Sequence, residues 1–600
     1  MSSTQKIILF EYDKPFILTD MLNYAPGIWF WVLTADNIIV TDDNGETGYY
    51  NYNNATIYTI SSLVVGDVSY VSTLNYNDMY ATNESFYYDS ATTRLYIHFD
   101  NFNPPLDKII KSGAAYGSIK GSAESYVYNS FYYRPDVLNF PSIKKEKDPL
   151  TYGFQKFGSG EVTLINTDGE YDDWRTRNMF SQAARILVGD YDAEYHDFEK
   201  KFSGFVENDS RTFETISITV QDTRKNLTQP IATNTLNQTD WPNLPDDKVD
   251  TVKPVAYGDI FNAECICLNE EESSPTYYTF LLCDTEYNQV ESGSVTVYME
   301  GAVISPYDID YAAGTFRVVA ATVEDNLSDV TADFTVDIKN GVDIILDLIY
   351  RYDFKPLAAS FWDIDEVTTA KALSRDTSIY IDDDDELKDI IKNICFDIDA
   401  LFFIKDDGLY SIRIFDTNRT IAKEIKTDEW TGDPTISNQG DEFLTSCIIK
   451  YKKNQSEDKY SQYENNDYKS DAFNIYKKYR SETFETNLTT LADAQAKSET
   501  IMEWSSDIQD IITRATVWDH SDLEIMDFVL CSPTTRQSQA DAKAVYEVLG
   551  VQKDFDNLKV TLTLRYIKAD PNLYLDYFLI VDENGVMFAD ENDNLIAGAQ

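Results

Sequence analysis

The chain is poor in nearly everything that catalytic chemistry uses. Its 600 residues hold three histidines, His98, His196 and His520, and none stands in an HExxH or HxxEH spacing. There is no GxSxG elbow, no P-loop and no GxGxxG turn. Asp and Glu number 102, so a pair resembling a glycosidase acid and base arises by chance and points nowhere. No catalytic, cofactor-binding or metal-ligating residue is assigned, no cofactor is expected, and the chain reads as a non-enzyme. The six cysteines are Cys265, Cys267, Cys283, Cys395, Cys447 and Cys531. Cys265 and Cys267 alternate on a strand and share a face, but no third and fourth ligand stands near. Each cysteine lies in or beside an apolar run, so buried thiols are expected, without disulfides or metal.

Positive charge is also scarce: 50 Lys and Arg leave a net charge of −52. That excludes tight nucleic-acid binding, which replaces phosphate counterions with cationic side chains. A channel wall of this charge would still let DNA pass without sticking, although acidic surfaces equally serve solubility. No run reaches the ~18 apolar residues of a membrane span. The opening MSSTQKIILFEYDK has no basic region followed by an apolar core, which predicts synthesis and retention in a cytoplasm.

What the chain does have is β-forming bulk. Hydrophobic residues make up 43% and aromatics 14%, with 42 Tyr and 32 Phe, which supports real cores built largely from strands. The length implies several domains, since one core rarely grows past about 250–300 residues. The fold class expected is mainly β with α+β parts, multidomain.

The stretch from Lys147 to Asp222 organises the rest. Val162 and Leu164 alternate with Glu161, Thr163 and Ile165; Phe213, Ile216, Ile218 and Val220 alternate with polar neighbours beyond the turn-rich Glu207–Ser210. Period-two alternation bounded by Asn, Asp, Ser and Gly marks half-buried strands in hairpins. The pattern returns near the C-terminus. Val545–Lys553 with Val560–Leu564 mirrors Phe202–Glu207 with Ile216–Val220, and Leu523–Asp527 is matched to Arg185–Asp190. This predicts an internal duplication: two small barrels in one chain.

Taken in order, residues 1–135 read as a Tyr-rich β domain. Trp29 and Trp31 share one strand face, either as core or as a stripe for sugar or a partner. Asp43-Asn44-Gly45 is a turn rather than a calcium loop. The first barrel is expected over 136–257, with a short helical turn within 178–188. An inserted β module of sandwich or open-sheet form occupies 258–335 around Tyr277–Leu282, Ser294–Met299 and Gly314–Val319. An α+β domain fills 336–440. It has a helix with Val342, Ile345, Leu346 and Ile349 on one face, and the acidic run Asp382–Glu386 capping a second helix. A hairpin joins Ala400–Ile404 to Leu409–Ile414. The second barrel covers 441–568, with a long loop or extended hairpin at 452–469. Its helix at 491–504 is capped by Thr489 or Thr490 and lays Leu491, Ala494, Ser498 and Met502 along one side. Residues 569–600 read as a C-terminal docking segment, because two or three strands alone are marginal.

The ordered series DPLTYGFQKFGSGEVTLINTDGEYDDW, FSGFVENDSRTFETISITVQDTRKNL, KPVAYGDI, SCIIKYKKN, LADAQAKSETIMEW and VLGVQKDFDNLKVTLTLRYI resembles the hub (tail-tip or baseplate-hub) proteins of tailed bacteriophages and gene-transfer particles, over roughly residues 70–568. The resemblance implies a homotrimer in which three chains of two tube-like barrels adapt a six-fold tail tube to three-fold tip components. It implies as partners the tail tube or distal tail protein and the fibre, plug and tape-measure proteins, with genomic DNA passing the channel unbound. It implies a virion location at the tail tip or baseplate after synthesis in a host cytoplasm. The alternative is a β-rich host-surface glycan- or receptor-binding tail protein, with Trp29 and Trp31 as its platform.

Overall fold

The structure is a computed structural model. Side chains are described for residues 6–9, 122–123 and most of 133–567, apart from short gaps such as 148–152, 172–181, 439–442, 467–473 and 535–542. Elsewhere only the backbone of certain strands is described. Among the described residues the architecture is mainly β with α+β parts, in several sheets.

The first large sheet has seven strands. Its centre is the run Ala183–Asp190, Glu199–Arg211, Thr215–Gln221 and Gly160–Ile165, antiparallel throughout, with Val137–Asn139 at one edge. Thr215–Gln221 buries every second residue, as its alternation requires. At the other edge Lys6–Lys14 pairs with Ala183–Asp190 and with Gly117–Ser122, so two strands from within residues 1–135 extend this sheet. The other strands of that segment include Ile28–Val32 and Arg94–His98, which pair in a separate seven-stranded sheet.

The second large sheet repeats the first. Thr435–Asn438, Asp510–Val517, Lys559–Ala569, Ala544–Asp554 and Phe528–Cys531 are hydrogen-bonded in the same order and sense as their counterparts above. The long hairpins match pair for pair. Phe205↔Gln221, Val206↔Val220, Asn208↔Thr219, Asp209↔Ile218, Ser210↔Ser217 and Arg211↔Ile216 correspond to Glu547↔Arg565, Val548↔Leu564, Gly550↔Thr563, Val551↔Leu562, Gln552↔Thr561 and Lys553↔Val560. Even the bulge recurs, after Val206 and after Val548. The hairpin match drawn from sequence therefore stands in register. The match of Leu523–Asp527 to Arg185–Asp190 does not: the pairings align Phe528–Cys531 with Ala183–Ile186 instead, about seven residues on, which puts Val529 and Cys531 where Ala184 and Ile186 enter the core.

One strand ties the sheets together. Val137–Asn139 belongs to the first; three residues later Ser142–Glu146 pairs with Ala544–Asp554 in the second. The apolar faces of both sheets then merge into one core, from Val162, Ile218 and Val206 to Val551, Leu562 and Leu564.

Around this frame sit the smaller parts. Tyr277–Leu281, Thr315–Val319, Asp308–Asp310 and Ile266–Cys267 form a four-stranded sheet. It shares a core with Val255–Glu264, Thr296–Met299 and Val330–Val336, giving the sandwich form. The α+β part packs helices Gly341–Asp353, Ile364–Leu373 and Leu387–Asp397 on the hairpin Ala400–Ile404/Tyr410–Ile414. The acidic run places Glu386 at the N-cap of the last helix, but its side chain makes no cap bond and pairs with Lys388 instead. The helix Leu491–Ser505 is capped by Thr490, and Ala494, Ser498 and Met502 are buried. Leu491 is the exception, 47% exposed, while Lys497 and Ile501 join the buried face. The described part of the 452–469 stretch is an extended hairpin, Ser446–Asn454 with Lys459–Asn465. All six cysteines are free and buried, and burial pushes the Cys267 thiol up to about 11 and the Cys283 and Cys447 thiols up to about 12. The helical turn expected within 178–188 and the Asp43-Asn44-Gly45 turn fall partly or wholly outside the described residues, as does most of 569–600.

Gly204 marks the tightest place in the first sheet. A Cβ there would meet the Gln221 carbonyl and the Phe202 ring. Gly204→Ala is expected to cost about 1–3 kcal/mol through overpacking, read as a lowered midpoint in thermal or denaturant unfolding. An unchanged midpoint would show that the strands part freely there.

Candidate assembly site and its buried ion pairs

The strand that crosses between the sheets carries a lysine into the interior. Lys145 Nζ donates to Asp406 Oδ1 at 2.7 Å, to both Glu524 oxygens at 3.1 Å and to the Ile404 carbonyl at 3.1 Å. Asp406 comes from the turn of the α+β hairpin, and its other oxygen takes Lys553 of the second sheet. Its backbone N–H donates to Glu524 at 3.2 Å. Four charges from four chain segments thus cancel in one buried cluster. Burial disfavours the Lys145 ammonium, yet Asp406 and Glu524 outweigh it and hold its pKa above the ordinary lysine value. Burial also works against the Asp406 carboxylate, but Lys145 and Lys553 keep it below the usual range. Glu524 is pushed up, first by burial and then by Asp406 beside it.

Two further clusters flank this one. Glu547, fully buried, is held between Lys147 and Arg565, each at 2.5 Å, with the Arg565 guanidinium 4.3 Å from the Trp504 ring centre. Arg413 of the α+β hairpin reaches Asp527 at 2.8 Å, the Ile525 carbonyl at 2.6 Å and Glu366 at 3.1 Å; Arg419 takes Glu366 at 2.8 Å. A third junction joins the α+β part to the helix Leu491–Ser505. There Lys497 and Arg375 each lie 2.6 Å from Asp399. Next to it Asp397 accepts from Asn487 Nδ2 at 2.9 Å and Thr377 Oγ1 at 3.2 Å, while burial pushes its pKa up to about 7.

These carboxylates do structural work. Asp406 and Glu524 come closest to an acid pair, but a lysine stands between them and both are shut off from any polymer substrate. No group of three or more His, Cys, Asp or Glu placed to hold a metal occurs among the described residues. No helix among them is long and apolar enough to cross a membrane. His196 is exposed and His520 is buried against Glu429 at 3.0 Å. The side chains of Trp29, Trp31 and His98 lie outside the described residues. Sequence reasoning missed the ion clusters altogether; the one available signal was Lys145, Lys147 and Lys553 standing at strand positions that alternation assigns to the interior.

No family model matches the chain, and no curated protein matches it. Among solved structures it is similar to a tail protein from Neisseria meningitidis MC58, at 9% identity over 75% of this chain and 98% of that one, with a TM-score of 0.37. It is similar to the 43 kDa tail protein of prophage MuSo2 from Shewanella oneidensis, at 10% identity, 72% and 94% coverage and a TM-score of 0.35. A chain of the native gene transfer agent virion particle gives 10% identity, 54% and 86% coverage and 0.38. All three TM-scores lie below 0.5, too low for the likeness to carry a functional argument by itself.

Two outcomes test the ion clusters. Asp406→Ala strands Lys145 and Lys553 without their shared carboxylate and is expected to cost about 3–5 kcal/mol in unfolding free energy. A loss below about 1 kcal/mol, typical of exposed pairs, would mean that water reaches the cluster. Asp397 holds its proton to about pH 7 when folded, whereas unfolded it releases it near the ordinary carboxyl value. Its contribution is therefore favourable at low pH and is lost as pH rises. Relative to Asp397→Asn, the wild-type chain should lose stability from pH 4 to pH 8; a flat difference would place the carboxylate as ionised throughout.

Proposed function

We propose that the protein is a non-enzymatic structural hub of a bacteriophage or phage-like tail, standing at the tail tip or baseplate. The single observation that carries this is the duplicated sheet: two copies of one topology, matched pair for pair along their long hairpins and fused into one core. A chain with two equivalent units can serve as two of six positions in a ring, so three chains meet a six-fold tube on one side and three-fold partners on the other. The ordered sequence series supports the same reading, with residues 136–257 and 441–568 as the tube-like domains. The parts of 1–135 outside Lys6–Lys14 and Gly117–Ser122, together with 569–600, would dock fibre, plug or tape-measure proteins. The net charge of −52 suits a channel that DNA crosses without binding. The particle would be assembled in a host cytoplasm.

Light scattering of the purified native protein, followed by negative-stain class averages, tests this. Three-fold mass and rings with six lobes are expected. A monomer that binds host cells or glycans would move the protein to the receptor-binding class.

A further inference from the structure

The two sheets are alike in construction but not in what covers them. In the second sheet, Ala544–Asp554 is paired on both sides along its far half: Lys559–Ala569 lies on one edge and Ser142–Glu146 on the other. In the first sheet the counterpart, Glu207–Arg211, is paired with Thr215–Gln221 alone among the described residues. A matching vacancy exists at the second sheet. Val137 and Trp430 are equivalent, bridging Leu164 and Thr516 at the same point of each sheet. Counting on from them aligns Pro141-Ser142-Ile143 with Pro434-Thr435-Ile436, so the sequence repeats as well. Ser142–Glu146 is sandwiched between Lys156–Phe157 and Ala544–Asp554. Thr435–Asn438 has Asp510–Val517 on one side and, among the described residues, no strand on the other.

Burial follows the same asymmetry. Ile143 is 3% exposed, while its counterpart Ile436 is 50% exposed. The second hairpin's tip buries Phe555 at 0% against Trp518, with Phe555 N–H donating to the Pro141 carbonyl at 3.3 Å. The first hairpin's tip leaves Phe213 87% exposed. Unpaired strand edges and bare aromatic tips invite another strand.

We infer that these two vacancies close on each other between copies: the edge Glu207–Arg211 of one chain receives the strand Thr435–Asn438 of a second copy, repeating head to tail the contact that Ser142–Glu146 makes inside the chain. The register is set by the internal one. Ile143↔Lys553, Lys144↔Gln552 and Lys145↔Val551 become Ile436↔Arg211, Ser437↔Ser210 and Asn438↔Asp209 across the interface. Phe213 then seats near Pro434 of the second copy, as Phe555 does at Pro141. The strand TISN carries no charge, so nothing in it repels the Asp209–Arg211 pair on the facing edge. The contact is heterologous, so repeating one step inside and between chains builds a ring, where its rotation closes, or a filament rather than a two-fold dimer. The closure at three copies rests on the hub reading above; the edge pairing itself does not.

Ser210→Cys and Ser437→Cys place thiols on directly opposed residues, whose Cα atoms would stand about 4.5–5.5 Å apart, within disulfide reach. The native cysteines are buried and do not compete. Mixing the two single variants under mild oxidation should give a covalent dimer that neither gives alone, and the double variant should give dimers and trimers on a non-reducing gel. Ser210→Cys mixed with Val303→Cys, on another sheet, should give none. Phe213→Asp and Ile436→Asp should each weaken self-association about tenfold or more while leaving nearly unchanged the unfolding midpoint measured at a concentration low enough to keep the chain monomeric, since both side chains are exposed in a single copy. Rings that form but show no 210–437 disulfide would overturn this interface and leave the hub reading standing. A chain that stays monomeric at every concentration and yields no cross-link overturns both.

Discussion

Everything else in the structure hangs from the strand that leaves the first sheet at Asn139 and enters the second at Ser142. It makes two independent sheets into one body, because their apolar faces must then share a core. It also delivers Lys145 to a junction of the second sheet with the α+β part. A buried ammonium is tolerable only with its charge cancelled and its protons satisfied, and Asp406 and Glu524 do both. An apolar residue there would pack as well, but it would accept many relative positions of the α+β hairpin. The lysine accepts the one in which Asp406, the Ile404 carbonyl and Glu524 converge.

Much of this was legible in the sequence wherever one strand face was wet. Alternation located Gly160–Ile165, Thr215–Gln221 and the hairpin at 544–569, and the duplication could be read from them. The cap at Thr490 and the hairpin around Asp406-Asp407-Gly408 were equally plain, since local side-chain chemistry decides both. Legibility ended where position is set by distant partners. Phe528–Cys531 is buried on both faces, so it has no alternation to align against Ala183–Asp190, and the match slid to the neighbouring acidic loop. Several of the ion pairs join residues more than a hundred positions apart, such as Lys145 and Glu524 or Arg413 and Asp527, and no local pattern announces such a pair.

The acidic excess also acquires a location. Several carboxylates are interior counter-ions: Glu524, Glu547 and Asp399 are buried, and Asp406 is largely so. The Lys145 cluster sets two cations against two carboxylates and the Glu547 cluster two cations against one, so neither of these buried clusters accounts for the net charge of −52.

A duplicated unit inside one chain frees its copies from having to be identical, and one set of differences falls along the far half of the long hairpins. The interior ladder keeps its register between the hairpins down to the bulge, whereas the outer edges diverge. In the second hairpin, Lys553 and Phe555 are committed to partners in the same chain: Asp406 and the Pro141 carbonyl. In the first, Arg211 is satisfied locally by Asp209, and Phe213 points outward. An intrachain contact can rely on buried ions, because the chain never has to take them out of water from a separated state more than once. A contact between copies must be formed from hydrated surfaces each time, so desolvating a cluster like Lys145–Asp406–Glu524–Lys553 would cost more than it returns. The neutral threonine, isoleucine, serine and asparagine of Thr435–Asn438, with the phenylalanine at the tip of the first hairpin, are what such an edge can offer.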